Sequence, residues 1–217
     1  VFGGMTTLSL GFTRAHDDVG RKGEGFIDSA THWRYRLGLT QILTPKWLAS
    51  VNLEAIADSG YLGNPYRAAR VFGAAVPENV PRTRSSRAIN FRAIGDLGSR
   101  DAIRGSYRYF WDNWDVTSHT FEGGYSRYVG ESFLLDGFVR HYRQSKASFY
   151  SDDAQVQNTY VTRNRQLGTY SGNTLGGKVT YSWRKVPGQY EIKFNGALEV
   201  LRYRYNDYTD LRSGSAY

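Results

Sequence analysis

Residues 16–18 read His-Asp-Asp, the most compact grouping of potential metal ligands in the 217-residue sequence. An imidazole and two carboxylates in succession offer oxygen donors to a hard divalent cation, with Asp17 and Asp18 as the candidate pair. The same residues also suit the start of a solvated turn. His32, His119 and His141 fall on three separate segments without ligand spacing and read as surface or interfacial histidines. Cysteine is absent, which removes thiolate zinc sites, a cysteine nucleophile, disulfides and covalent haem attachment within this sequence. Gly176-Gly177-Lys178 lacks the rest of a phosphate-binding loop, and nothing singles out a Ser-His-Asp set. The residues imply no catalytic site, no cofactor, and no metal beyond the Asp17/Asp18 pair.

The elements carrying these residues follow a period of two. Around residues 31–43 and 47–59, Trp33, Tyr35, Leu37, Leu39, Trp47, Ala49, Val51 and Leu53 share one parity, while Arg34, Arg36, Asn52 and Glu54 occupy the other. The alternation recurs at 4–15, 84–97, 101–111, 116–129, 132–146, 173–185 and 189–206, giving nine half-polar strands. Content of 17 Tyr, 11 Phe, 5 Trp and 24 Gly favours strands over a helical bundle. Mean hydropathy of −0.54 suggests a soluble chain, but alternation cancels in any window, so it does not exclude a barrel. No apolar run approaches the roughly 18 residues a membrane helix needs.

Connections separate the readings further. Thr44-Pro45-Lys46, Gly98-Ser99-Arg100, Gly130-Glu131 and Pro187-Gly188-Gln189 are tight, and between them lie longer ones at 16–30, 60–83, 112–115 and 147–172. Short turns at one end and elaborated loops at the other describe an up-and-down meander. Trp33, Trp47, Trp183 and Tyr190 are expected to flank the short turns, and Tyr107, Tyr109, Trp111 and Trp114 the other end. Two aromatic girdles with aliphatic residues between them fit a lipid-facing surface better than the inverted pattern of a soluble barrel. The expected fold is therefore all-β, an antiparallel up-and-down transmembrane β-barrel. The polar parity faces its lumen: Arg34, Arg36, Asn52, Glu54, Arg92, Arg104, Arg108, Glu122, Asp136, Arg140, Lys178, Lys193 and Glu199. Nine strands is an odd number, so residues 1–217 are expected to be one partial barrel domain with its closing strand, and strands upstream, outside it.

The segments GGMTTLSLGFTRAHDDVG, ENVPRTRSSRAINFRA, RGSYRYFWDNWDVTSHTFEGGYSRYV and RYNDYTDLRSGSAY resemble an uncharacterised bacterial outer-membrane β-barrel family, domain of unknown function 3570. The similarity spans essentially the whole chain. It implies the barrel fold and the bacterial outer membrane, and longer relatives that continue to a final strand, but supplies no catalytic motif.

Both signs of charge on the lumen parity argue against a simple cation or anion selector. Arg-Tyr runs at 202–208 and 106–111 superficially suit nucleic acid, yet a barrel with Arg inside and girdle Tyr outside accounts for them without it. The expected partners are outer-membrane lipid and other envelope proteins, not nucleic acid. The expected role is a non-enzymatic conduit or sheath for a solute or partner protein. The alternatives are a plugged barrel that anchors partners through loops 60–83 and 147–172, or an outer-rim enzyme at His16, Asp17 and Asp18. The parity blurs after Arg202, where a bulge or emergence from the membrane is expected.

Overall fold

The structure is a computed structural model and describes residues 5–23, 25–186 and 190–211. Eleven strands account for most of it. They are β1 (Thr6–Arg21), β2 (Phe26–Thr44), β3 (Trp47–Gly60), β4 (Ala68–Val71), β5 (Ala74–Pro77), β6 (Thr83–Gly98), β7 (Asp101–Asp112), β8 (Thr117–Val129), β9 (Phe133–Gln144), β10 (Tyr170–Val186) and β11 (Tyr190–Tyr205). Nine form one antiparallel meander in the order β1-β2-β3-β6-β7-β8-β9-β10-β11, and β4-β5 is a separate small hairpin. The sheet is open, with β1 and β11 as its edges. The nine expected strands are the nine observed, because side chains of alternating polarity can satisfy two different faces only on a pleated strand.

Turn chemistry fixes the register at one end. Thr44 pairs with Trp47 across Pro45-Lys46, a place where proline's missing N–H costs no ladder bond. Gly98 pairs with Asp101 across Ser99 and Arg100, whose φ values of 52° and 67° match the twist a two-residue hairpin needs. The expected turn at 187–189 lies outside the described residues, as do residues 1–4 and 212–217.

The other end differs from expectation in one respect. Residues 16–30 are not a long loop: β1 runs to Arg21, β2 begins at Phe26, and the two pair through Arg21–Phe26. Polar strand residues projecting beyond the apolar stretch read as loop in sequence, although the ladder simply continues. The remaining connections at this end, the long 61–82 and 145–169 and the short 113–116, fold against one another into a cap. Trp114, Val116, Ala147, Tyr150 and Leu167 form one buried cluster, and Ala69, Ala154 and Val161 a second. Trp114 is only 4% exposed, so it belongs to this core and not to a girdle. Its indole N–H donates to the Thr83 carbonyl (3.0 Å).

Candidate functional site

The ladders place every polar residue assigned above to the lumen on a single face of the sheet. Charges on that face are mostly paired. Glu54 accepts from Arg36 Nε (3.2 Å) and Arg108 Nη2 (3.4 Å), with Arg34 Nε at 3.3 Å. Arg140 Nε donates to Glu122 (2.8 Å) across the β8–β9 pair. Arg104 on β7 passes over β8 to make a fork with Asp136 on β9 (2.6 and 2.9 Å), and Ser126 donates to the same carboxylate (2.5 Å). Gly124 makes that passage possible, since a Cβ there would lie 2.5 Å from the Arg104 guanidinium carbon. Lys178 stands opposite Asp136, and Lys193 pairs with Glu191 at 2.9 Å. Asn52, Arg92 and Glu199 share the face without an ion pair among the described residues.

Toward the long loops this face forms a cavity of about 540 Å³ that gathers residues from β1, β2, β3, β6, β7, β8 and β9 and from the cap. Asp17, His32, Asp58, Arg84, Arg108 and Tyr142 come from the strands, and Trp114, Asn164 and Gln166 from the connections. His32 is held between two carboxylates, with Nδ1 2.8 Å from Asp58 and Nε2 3.4 Å from Asp17. Sequence spacing missed this trio because its members come from β1, β2 and β3; only the register β1–β2–β3 brings them together. Arg84 forks onto Asp112 (2.8 and 2.5 Å) while its guanidinium lies 4.6 Å from the Trp114 ring centroid. Gln144 ties the cap to β9 by donating to the carbonyls of Gln166 (2.8 Å) and Gly168 (3.1 Å). The cavity thus mixes aromatic walls, amides and charges of both signs, a lining suited to a polar solute with hydroxyl or amide groups.

The His16-Asp17-Asp18 candidate separates. On a strand neighbouring side chains point to opposite faces, so Asp17 enters the cavity while His16 and Asp18 lie on the other face, where His16 meets Thr31 (2.9 Å). No cluster of three or more His, Asp or Glu fit to hold a metal occurs among the described residues. His119 and His141 also lie on the other face, bonded to Tyr107 and Asn173 (both 2.8 Å).

That other face is apolar, and its side chains are exposed: Leu10 is 79% and Leu198 75% accessible. The girdle residues Trp33, Trp47, Tyr107, Tyr109, Trp111, Trp183 and Tyr190 all belong to it. Their heights differ from expectation in one case. Trp33 pairs with Arg14 and Ala57, far from the Thr44–Trp47 turn, so it stands with Trp111 and not with Trp47. Parity sets the face, but height depends on where the strand starts. A second correction concerns 202–205. Here Arg202 and Arg204 follow the apolar parity, while Tyr203 and Tyr205 turn to the ionic face beside Tyr170. The β10–β11 register runs unbroken through this stretch, so the blurring is a reversal of polarity rather than a bulge; the shift lies at Ser182–Arg184.

Among curated proteins none matches the chain. A solved structure described as "NanC porin structure in rhombohedral crystal form" aligns over 93% of this chain and 97% of its own, at 12% identity and a TM-score of 0.32. The model of a family described as "Protein of unknown function (DUF3570)" matches residues 6–204, and the chain belongs to that family.

Proposed function

We propose that this chain forms the wall of an outer-membrane β-barrel that conducts a polar solute and catalyses no reaction. The observation carrying this reading is the opposite character of the two sheet faces. Among the described residues, the charges of the apolar face fall in two groups, Asp101, Arg127 and Arg184 beside the short turns, and Arg14, Asp18, Arg87, Arg143, Arg202 and Arg204 toward the long loops, with none between. A band free of charge suits contact with lipid. The ionic face then lines the passage, and its charges of both signs, largely tied to one another, favour a polar solute over a simple ion. The cavity under the cap would be the narrow outer mouth, where such a solute meets Trp114, Tyr142 and the Asn164 and Gln166 amides.

The test is conductance of the full-length protein in planar bilayers. Steady open-channel current that rises when residues 147–164 are removed supports the conduit. Electrical silence in both forms supports a second reading, a plugged anchor. The two buried clusters in the loops favour that alternative, because they make the cap a preformed surface for an envelope partner.

A further inference from the structure

With two exceptions near the short turns, the ionic face's Arg92, unpaired among the described residues, and the apolar face's Arg127, which pairs with Asp101, the arginines on the two faces are treated differently. On the ionic face Arg34, Arg36, Arg84, Arg104, Arg108 and Arg140 all have carboxylate partners. On the apolar face Arg14, Arg87, Arg143, Arg202 and Arg204 are exposed and none pairs with a carboxylate among the described residues; Arg14 instead lies 5.0 Å from the Trp33 ring centroid. These five also fall within one zone along the strands. Arg143 is ten residues beyond Phe133, Arg87 eleven before Gly98, Arg14 sits opposite Trp33, and Arg202 and Arg204 are twelve and fourteen beyond Tyr190. At about 3.3 Å per residue and a tilt near 40°, these positions stand roughly 25–35 Å above the short turns. That is the upper edge of an apolar band about 25 Å tall.

Beneath one of them the apolar face is grooved. The cross-strand row Phe12–Tyr35–Ala55–Arg87–Trp111 sets a small residue between aromatic walls. A groove of about 600 Å³ there is lined by Leu10, Leu37, Leu53 and Ala55 together with Arg87 and Trp111. A cation beside an apolar channel matches a lipid, phosphate against guanidinium and acyl chain in the groove.

We propose that Arg14, Arg87, Arg143, Arg202 and Arg204 form a collar that binds the phosphate groups of outer-leaflet lipid headgroups, with one acyl chain seated in the groove beside Arg87. The inference rests on the barrel reading and adds to it a ligand class and its residues. The test uses the full-length protein in phosphatidylcholine vesicles containing brominated phosphatidic acid, read by quenching of tryptophan fluorescence. The wild type should be quenched more by brominated phosphatidic acid than by brominated phosphatidylcholine. Arg14→Gln and Arg87→Gln should each lower that preference about fivefold, as should Arg143→Gln and Arg202→Gln. The control Lys22→Gln/Lys146→Gln, which removes cap-side charge, should keep it. Unchanged preference in the arginine variants overturns the collar, and so does loss of preference in millimolar inorganic phosphate, which would mark a small-anion site only. Flotation with plain phosphatidylcholine vesicles is read on the same samples. A chain that floats but shows no preference sinks the collar alone, whereas one that never floats sinks the barrel reading with it.

Discussion

The cap and the sheet are built on opposite rules although one chain makes both. In the cap, two clusters of apolar side chains are buried, as in a water-soluble domain, while Tyr66, Phe72 and Val156 remain exposed. In the sheet, the apolar side chains are the exposed ones and the charges face each other across the ionic face. Cap stability must therefore come from its own packing, while the apolar face contributes burial only when something apolar covers it. The difference teaches that exposure alone does not decide what a residue is worth; the medium in front of it does.

The largest expected effects break that comparison directly. Trp114→Ala should destabilise the cap by about 3–5 kcal/mol, the usual cost of emptying an aromatic site in a core. Limited proteolysis within 147–164 would detect it, with far-ultraviolet circular dichroism of the sheet unchanged. Leu198→Ala, on the apolar face, should leave stability in detergent almost untouched. Leu198→Arg sharpens the contrast, since a guanidinium at mid-band should cost about 2–4 kcal/mol in a bilayer. Folding titrations of the full-length protein in vesicles would measure it, and equal stability of Leu198→Arg and wild type would mean that lipid does not cover this face.

Glu78 is the cap's polar counterpart to Trp114. Its side chain is 1% exposed, accepts from the Thr162 hydroxyl and the Asn64 amide (3.1 Å), and has Arg67 at 3.7 Å. Around it loops 61–82 and 145–169 are zipped by reciprocal backbone bonds between Asn79 and Val161 (3.0 and 2.8 Å). Glu78→Ala should cost about 1–3 kcal/mol by leaving buried donors unpaired. Faster cleavage of both loops together, not of one, is the expected readout.

Much of the sheet was legible because period-two alternation is a local property. Each of Arg34, Glu54, Arg104 and Asp136 announces its face through its immediate neighbours. Height along the strand is not local, and Trp33 was placed at the wrong end because its position depends on β2 starting at Phe26. The Asp17–His32–Asp58 trio was hidden for a related reason: it is made by register across three strands, whereas His16-Asp17-Asp18 looked like a site only because a linear sequence ignores the pleat. The cap was legible only as length. Its reciprocal bonds join segments 80 residues apart, as in Asn79 Nδ2 to the Thr159 carbonyl (2.6 Å), and the role of Trp114 arises from Thr83 and Phe149 on other segments.

A smaller effect tests how sheet charges are coupled. Gly124→Ala puts a methyl where the Arg104 guanidinium passes, and should release Arg104 from Asp136 at a cost of about 1 kcal/mol, because the pair is partly solvated. If the fork helps set the passage, conductance and its salt dependence should change while cap proteolysis does not. Asp136→Asn combined with Gly124→Ala should then add almost nothing, since both remove the same contact.

The smallest effect lies at the seam between sheet and cap, where Asp28 near the outer end of β2 receives a fork from Arg82 (2.7 and 2.9 Å) and the Ser29 amide (2.8 Å). The hydrogen bond from Arg82, followed by that of the amide, lowers the Asp28 pKa from 3.8 to about 2. A carboxyl lowered in the folded state binds its proton more readily when unfolded, so its contribution is fully present above about pH 4. It is lost as the pH falls through about 2. Nearby, the Tyr61 amide donates to the Ser29 carbonyl (2.8 Å) and reports on the seam. Its protection from hydrogen exchange should hold to about pH 4 and decline toward pH 2, and Asp28→Asn should flatten that dependence. Because the pair is open to water the amplitude should be small and should shrink further in high salt. A decline already complete at pH 4 in the wild type would show that some other carboxylate holds the cap to the sheet.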